Sequence, residues 1–526
     1  MSPDTSTHKW CIALTVVPAG LISAVDSTSV GIAIPSMMTN LRVDLDQIQW
    51  VVTVFMIMQV LLMPTVGWLT GLFGRRNLFV GSLCFIIGGT VLCSFAWSLE
   101  SLIFFRAVQA LGAGPLQPIS MAILYEAFPP QERGTAVGLF NSTIALGLII
   151  GRFGGYLVDT FDWRMIFYLT LPFSIFSMVM GYLMIPRTQQ PRRWSIDTWG
   201  LLTMGGFLVP LLLALTQGRF EGWDSPYIRS LFAIAGMSFI AFITVELRSK
   251  TPVVELRLYK NFNFAMGSLV QFLVSILFMS SSFLINIFLQ RVYQFTPSQV
   301  GMLMFPQGLV YGIGSLWAGR LSDYFNPRLP LVLGLISFAF VYYWFGGISS
   351  VATAAALMGM LCLRSLSFSC VNSPNTLMSL RALPDEKVSM GTGLFSVTRG
   401  IAGILGVTLS VTYLEHQRTA HAIWLAQEQG ETLAQWTMTD LQQMFTGLGD
   451  VSSEAQVKAA THLHDMMLQE ATVAAYQDVF MLSAFISLFN VLPSLLQRRA
   501  VRLRQHSPAD PPATTRSPAF KASREA

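Results

Sequence analysis

Apolar runs of about twenty residues or more recur along this chain, separated by short polar connectors, and a helix needs about 20 mostly apolar residues to cross the hydrocarbon of a bilayer. By that measure the pattern predicts fourteen spanning helices, over residues 10–36, 48–70, 77–97, 100–124, 134–158, 163–185, 198–217, 227–247, 264–289, 298–319, 329–348, 352–380, 389–414 and 474–496. Charges are gathered between the runs, whereas a soluble chain interleaves them at helical period. The fold class expected is an all-α integral membrane protein. Composition points the same way: 53% hydrophobic and 12% charged over 526 residues, with 38 Phe and 26 Met, is far from the soluble average.

The net charge of +5 matters through its placement, because cytoplasmic connectors are enriched in Lys and Arg. With the N-terminus inside, the internal connectors carry Arg75, Arg76, Arg133, Arg187, Arg248, Arg328, Arg381 and Lys387, and the tail carries Arg498, Arg499, Arg502 and Arg504. Both termini are then cytoplasmic. Basic residues beside a span are expected anyway, so no nucleic-acid partner is inferred. Residues 10–36 are too long for a secretory signal, and the first span is expected to remain as an anchor. Cys11, Cys84, Cys93, Cys362 and Cys370 fall inside spans without metal-ligand spacing and read as packing residues.

Two segments 252 residues apart resemble each other: Gly67-Trp-Leu-Thr-Gly-Leu-Phe-Gly74-Arg75-Arg76 and Gly319-Arg-Leu-Ser-Asp323-Tyr-Phe-Asn-Pro-Arg328. Gly138-Leu-Phe and Gly393-Leu-Phe repeat at nearly the same offset. The organisation implied is an N-terminal six-helix bundle (1–186), a two-helix insert with its connectors (187–260), a C-terminal six-helix bundle (261–496) and a disordered cytoplasmic tail (497–526). Parallel repeats of this kind are found in secondary transporters, with the substrate path between the halves near mid-membrane.

Five short motifs follow in order: Asp26-Ser-Thr with Ala33-Ile-Pro35 in span 1, Arg106-Ala-Val-Gln109-Ala-Leu-Gly112 in span 4, Trp163-Arg164 before span 6, Gly222-Trp223 before span 8, and Arg399-Gly-Ile-Ala-Gly403 in span 13. Together they resemble the major facilitator superfamily, in particular its fourteen-helix proton-coupled multidrug exporters of the EmrB and QacA type. The resemblance implies export driven by protons and gating at the cytoplasmic end by the repeated loops, hence by Gly67, Gly74, Arg75, Arg76, Gly319, Asp323 and Arg328. Two departures matter. The first loop has Gly71 where the family has an Asp that latches the gate, which leaves that duty to Asp323. Span 5 reads Gly151-Arg152-Phe153-Gly154-Gly155, without the Pro of the antiporter pattern and with an Arg instead.

An ionisable side chain at membrane depth costs about 2.5 to 3.5 kcal/mol on insertion scales and usually faces a cavity or a partner. Asp26, Arg106 and Arg152 lie at similar depths at the rise of about 1.5 Å per residue, close enough to form one cluster. Burial favours the neutral acid and a neighbouring guanidinium favours the carboxylate, which is the sensitivity that proton coupling requires. Asp26 is read as the proton carrier and Arg106 as the group that tunes it, against a static salt bridge that fixes helix register. Arg152, Arg364, Arg399 and Gln109 are assigned to the substrate cavity. An excess of arginine there favours weak acids and neutral compounds over cations.

The glycine-rich stretches follow no strand and lack the Lys-Ser or Lys-Thr of an ATPase loop, so an ion gradient is the expected energy source and no cofactor is called for. No nucleophile and base pair lies at membrane depth, so an enzyme is not expected. The one long polar connector, 415–473, is acidic, as an extracytoplasmic loop would be, and apolar spacing predicts two amphipathic helices over 424–444 and 457–473. It either docks a periplasmic adaptor protein or forms a lid over the outer mouth. His462 and His464 lack a third metal ligand. The function read is proton-coupled export of apolar or amphipathic small molecules. A dedicated exporter of one endogenous acid and a membrane sensor without transport are the alternatives.

Overall fold

The computed structural model describes residues 5–151, 153–187, 197–249, 251–348, 353–428, 439–446 and 452–497. Among these the regular structure is helical throughout. The N-terminal part comprises α1 (Thr5–Leu41), α2 (Leu45–Leu62), α3 (Val66–Phe73), α4 (Arg75–Ser94), α5 (Leu99–Ala127), α6 (Arg133–Gly151), α7 (Phe153–Thr160), α8 (Met165–Tyr168) and α9 (Leu171–Met184). Next come α10 (Thr198–Glu221) and α11 (Pro226–Arg248), then α12 (Phe262–Arg291), α13 (Pro297–Tyr324), α14 (Arg328–Gly346), α15 (Ala354–Arg381) and α16 (Val388–Glu428). The chain continues as α17 (439–446), α18 (Ser452–Phe489) and α19 (Val491–Leu496). A lipid-embedded chain must satisfy its backbone within each segment, which is why apolar runs of this length become helices.

Thirteen helical stretches of the described residues are long and apolar enough to cross a membrane. The tenth expected span falls on α13, which is 28 residues long but is not among the thirteen; it carries Gln299, Gln307, Arg320 and Asp323 and five glycines. Local chemistry sets the boundaries. Ser98 caps α5 by accepting from the Ser101 N–H, Thr296 and Gln299 form a capping box on α13, and Asn261 caps α12. Gly74 stops α3 at φ 77°, a conformation that favours glycine.

The long polar connector differs from expectation. Instead of two separate amphipathic helices, α16 runs on to Glu428 and α18 begins at Ser452, because no Gly or Pro interrupts 407–428 or 452–489. At 1.5 Å per residue the 41 residues of α16 extend about 60 Å, roughly twice the hydrocarbon thickness. Residues 429–438 and 447–451, the tail from 498, and Arg152 lie outside the described residues.

The two bundles meet along two seams, α6 on α13 and α3 with α5 on α16. Both repeated glycine pairs sit there. A Cβ on Gly319 would lie 2.3 Å from the Gly134 carbonyl oxygen, and one on Gly138 would lie 2.4 Å from that of Ser315. On the other seam, a Cβ on Gly67 would meet Met390 and one on Gly393 would meet the Met63 carbonyl. The α10–α11 hairpin packs on α2 and α16. Both described chain ends lie at one end of the molecule: Lys9 pairs with Glu132, and Gln497 donates to Asn375. Arg75, Arg76, Arg133, Arg328 and Arg381 share that end, called here the basic end.

Candidate functional site: a buried ion pair beside a cavity

The deepest charges of the N-terminal bundle are brought together. Nη1 of Arg106, on α5, donates to both carboxylate oxygens of Asp26, on α1, at 2.9 and 2.8 Å, with Asp26 3% and Arg106 1% exposed. The same nitrogen donates to Gln109 Oε1 at 2.6 Å, and Gln109 Nε2 donates to Asp26 Oδ1 and to Thr90 Oγ1. Arg106 Nε reaches the Val51 carbonyl of α2, and its guanidinium lies 4.0 Å from the Phe55 ring centroid. Spacing on α5 explains part of this: positions 106 and 109 are three apart and share one helix face. A buried pair of this kind stands because further hydrogen bonds satisfy it.

Beside the pair lies a cavity of 610 Å³. α2 supplies Gln49, Val52, Thr53, Met56 and Gln59, Met63 follows just after it, α16 supplies Ser396, Arg399, Gly403, Val407 and Val411, and Met279 and Phe283 come from α12. Leu215, Thr216, Arg219 and Phe220 of α10 complete the wall. Val51 and Phe55, which touch Arg106, alternate along α2 with Val52 and Met56, which face the cavity. One helix therefore connects the ion pair to the cavity. Two arginines and no carboxylate line it. Arg219 is paired with Glu415 at 2.7 Å, while Arg399 has a buried Nε without a hydrogen-bond partner and, among the described residues, no carboxylate within salt-bridge distance.

At the basic end the bundles are closed. Asp323, on α13, accepts from the backbone N–H groups of Gly134 and Thr135 at 2.7 Å each and from Thr135 Oγ1 at 2.8 Å. These are the first turn of α6, where free N–H groups and the helix dipole favour an anion. Arg381 adds an ion pair to Asp323 at 3.2 Å, and Arg133 reaches Asp385 at 2.9 Å. In the first copy of the loop Arg75 pairs with Glu126, and the Arg76 guanidinium lies over Tyr182 at 4.1 Å. Arg328 opens α14 and its Nε is buried without a partner. The cavity lies towards the opposite end, its lining reaching Ile34, Gln49 and Phe220 near the far ends of their helices.

Not every residue assigned to the cavity lines it. Gln109 belongs to the ion-pair network. Arg364 is 1% exposed inside the C-terminal bundle, donating to Ser281 at 2.7 Å, Ser282 at 3.1 Å and Gln307 at 3.2 Å, with Phe278 beneath it at 4.8 Å. Depth along a helix cannot say which face a side chain takes, and these two face helices instead of the gap. Sequence reasoning missed the Arg75–Glu126 pair and the whole contribution of α10.

The sequence model of the Major Facilitator Superfamily matches residues 16–407. The chain is 28% identical to the multidrug export protein EmrB of Haemophilus influenzae over 491 residues, covering 91% of this chain and 94% of that one. It is likewise 28% identical to EmrB of Escherichia coli over 479 residues, 89% and 91% of the two chains, and 26% identical to the MFS-type transporter YhcA of Bacillus subtilis over 492 residues, 92% of each. Among solved structures, the human organic anion transporter MFSD10 superposes with a TM-score of 0.57 at 14% identity, over 92% of this chain and all of that one, which shows a shared fold. With a family match across most of its length, apolar helices throughout and transporter relatives along nearly the whole chain, this multi-pass membrane protein belongs to the major facilitator superfamily.

Proposed function

We propose that the chain is a proton-coupled exporter of apolar and amphipathic small molecules, weak acids among them, working by alternating access between the two bundles. The observation that carries this reading is the buried Asp26–Arg106 pair, which shares α2 with the cavity wall. Asp26 is the deep carboxylate of the described membrane helices. Glu126, Glu246 and Asp323 sit near helix ends, Glu415 on the extended part of α16, and Asp478 within the first turn or so of the last span, where it pairs with His421. Protonation of Asp26 removes the charge that holds Arg106, and Arg106 is anchored on α2, so the wall that binds substrate and the group that binds the proton are mechanically linked. The multidrug export relatives support small-molecule efflux.

Connectors rich in Lys and Arg put the basic end in the cytoplasm, so the closed latch and the cavity towards the far end correspond to an outward-facing exporter. The α16 and α18 extensions stand on that outer side, where an adaptor protein would grip them. Arg399 gives the cavity an unneutralised cation, and an acid head on an apolar body is the ligand that best supplies what it lacks. The same observation favours the second reading, a transporter dedicated to one acid. Flux in proteoliposomes with and without a pH gradient tests the proposal: accumulation should require the gradient. Arg399→Gln should lower export of acidic substrates about tenfold, the worth of one charge-assisted hydrogen bond, and spare neutral ones. Accumulation without any gradient overturns proton coupling.

A further inference from the structure

We propose that α10 of the two-helix insert is a substrate-facing wall that travels with the C-terminal bundle and slides over α2. This rests on the alternating-access reading but adds a moving part to it. Four consecutive-turn residues of α10, Leu215, Thr216, Arg219 and Phe220, line the cavity, so the insert occupies the outer part of the gap between α2 and α16 that would otherwise open to lipid. α11 is the lipid side of the hairpin, with Phe232, Ile234, Met237 and Ile240 exposed.

The two sides of α10 are attached differently. Towards α16 there are directional bonds: Thr408 Oγ1 donates to the Leu215 carbonyl at 3.0 Å, and Arg219 pairs with Glu415 at 2.7 Å. Towards α2, among the described residues, contact is apolar only, through a cluster that joins Ile57 and Val60 to Leu212 and Leu215. Arg219 and Glu415 are half-exposed, so their bridge contributes little alone, and the Thr408 bond adds a second directional contact one to two turns away on the same side of α10. Apolar surfaces without hydrogen bonds permit shear, because no directional contact must break as side chains pass. When the bundles rock, α10 cannot keep both neighbours, and the contact that yields is the one with α2.

The wall then changes with the state. With the outer mouth open, Thr216 and Phe220 face substrate; with it closed, α2 comes up against the same residues and displaces whatever they hold. A part of the chain outside both bundles thereby helps to select the ligand and to expel it.

Spin labels at exposed positions test the motion in the full chain, with Cys11, Cys84, Cys93, Cys362 and Cys370 replaced by alanine. Three pairs are measured by pulsed electron resonance in the parent and in Asp26→Asn, a mimic of the protonated state: Asp46 with Thr412 across the mouth, Asp224 with Thr412, and Asp224 with Asp46. The expected result is a shift in the mouth pair, an equal shift for Asp224 with Asp46, and no change for Asp224 with Thr412. A change in Asp224 with Thr412 while Asp224 with Asp46 stays fixed would overturn the inference and attach the insert to the N-terminal bundle. A mouth pair that responds neither to Asp26→Asn nor to pH would overturn the alternating-access reading itself, and this inference with it. Thr216→Phe, placed on the wall, should change the ratio of two substrates of different size severalfold; an unchanged ratio removes α10 from the site.

Discussion

Arg106 on α5 and Arg364 on α15 occupy comparable places in the two bundles, and what they hold differs. Each is 1% exposed, each lies against a phenylalanine ring, Phe55 at 4.0 Å and Phe278 at 4.8 Å, and each reaches the first helix of its bundle, α1 or α12. Arg106 finds the carboxylate of Asp26 there. Arg364 finds the hydroxyls of Ser281 and Ser282. A carboxylate can exchange its charge for a proton near neutral pH when its surroundings are tuned, and a serine hydroxyl cannot. Two bundles built on one plan thus divide their charges: the N-terminal one holds a buried ion pair, and the C-terminal one holds buried arginines without a carboxylate partner among the described residues, with Arg399 facing the cavity.

The hardest test of that division is Asp26→Asn, which keeps shape and hydrogen-bonding capacity but removes the titration. Gradient-driven export in proteoliposomes should fall about a hundredfold or to background, a barrier change of about 2.7 kcal/mol or more, while the folded protein and substrate exchange without a gradient persist. Ser281→Asp added to this variant gives Arg364 a carboxylate of its own. It should not restore export, because Arg364 is packed away from the cavity. Recovery of accumulation in the double variant would make the two arginines interchangeable.

A smaller effect separates the two arginines directly. Arg106→Ala leaves Asp26 buried without its countercharge, so the pH profile of transport should change. Loss of one partner from a buried pair also costs about 3 to 5 kcal/mol of stability. Arg364→Ala strands only neutral groups, at about 1 to 3 kcal/mol, and should lower the melting temperature without moving the pH optimum. Parallel pH profiles for the two variants would break the comparison.

These contrasts show where the sequence was legible. The all-helical class and the order of the apolar segments follow from apolar runs, thirteen of the fourteen expected spans being long and apolar enough to cross a membrane among the described residues, and Asp26 with Arg106 follows from depth, because the rise per residue fixes height in a membrane helix. Helix face and neighbour do not follow. Gln109 and Arg364 lie at suitable depths yet bond to other helices, and Arg219 meets Glu415 across 196 positions, a distance no local pattern encodes. The α16 and α18 extensions depart from the expected separate helices because polarity alone does not end a helix, whereas Gly, Pro or a cap does. Asp323 was legible through the repeat, since an acidic residue in one copy and Gly71 in the other marks the asymmetry before any contact is known.

That asymmetry gives the finest test, at the seams of the basic end. Asp323 holds two backbone N–H groups and a hydroxyl of α6 across the bundle boundary, whereas the α3–α16 seam relies on Gly67 against Met390, and Ser389 at the start of α16 has a buried hydroxyl without a partner. Asp323→Asn turns one acceptor into a donor that faces donors. Loss of about 1.5 to 3 kcal/mol from charge-assisted bonds should reduce the weight of the closed end about tenfold or more and lower flux correspondingly; normal flux would refute the latch. Gly71→Asp should do far less. A Cβ at Gly71 meets nothing within 4 Å, unlike one at Gly67, which would meet Met390. The new carboxylate therefore has room. Flux should stay within about twofold of the parent, well under the 1.4 kcal/mol that a tenfold change represents. If Gly71→Asp instead stops transport while the protein stays folded, a second latch is too strong for the basic end to open, and the loss of the acid from the first copy is what allows the gate to cycle.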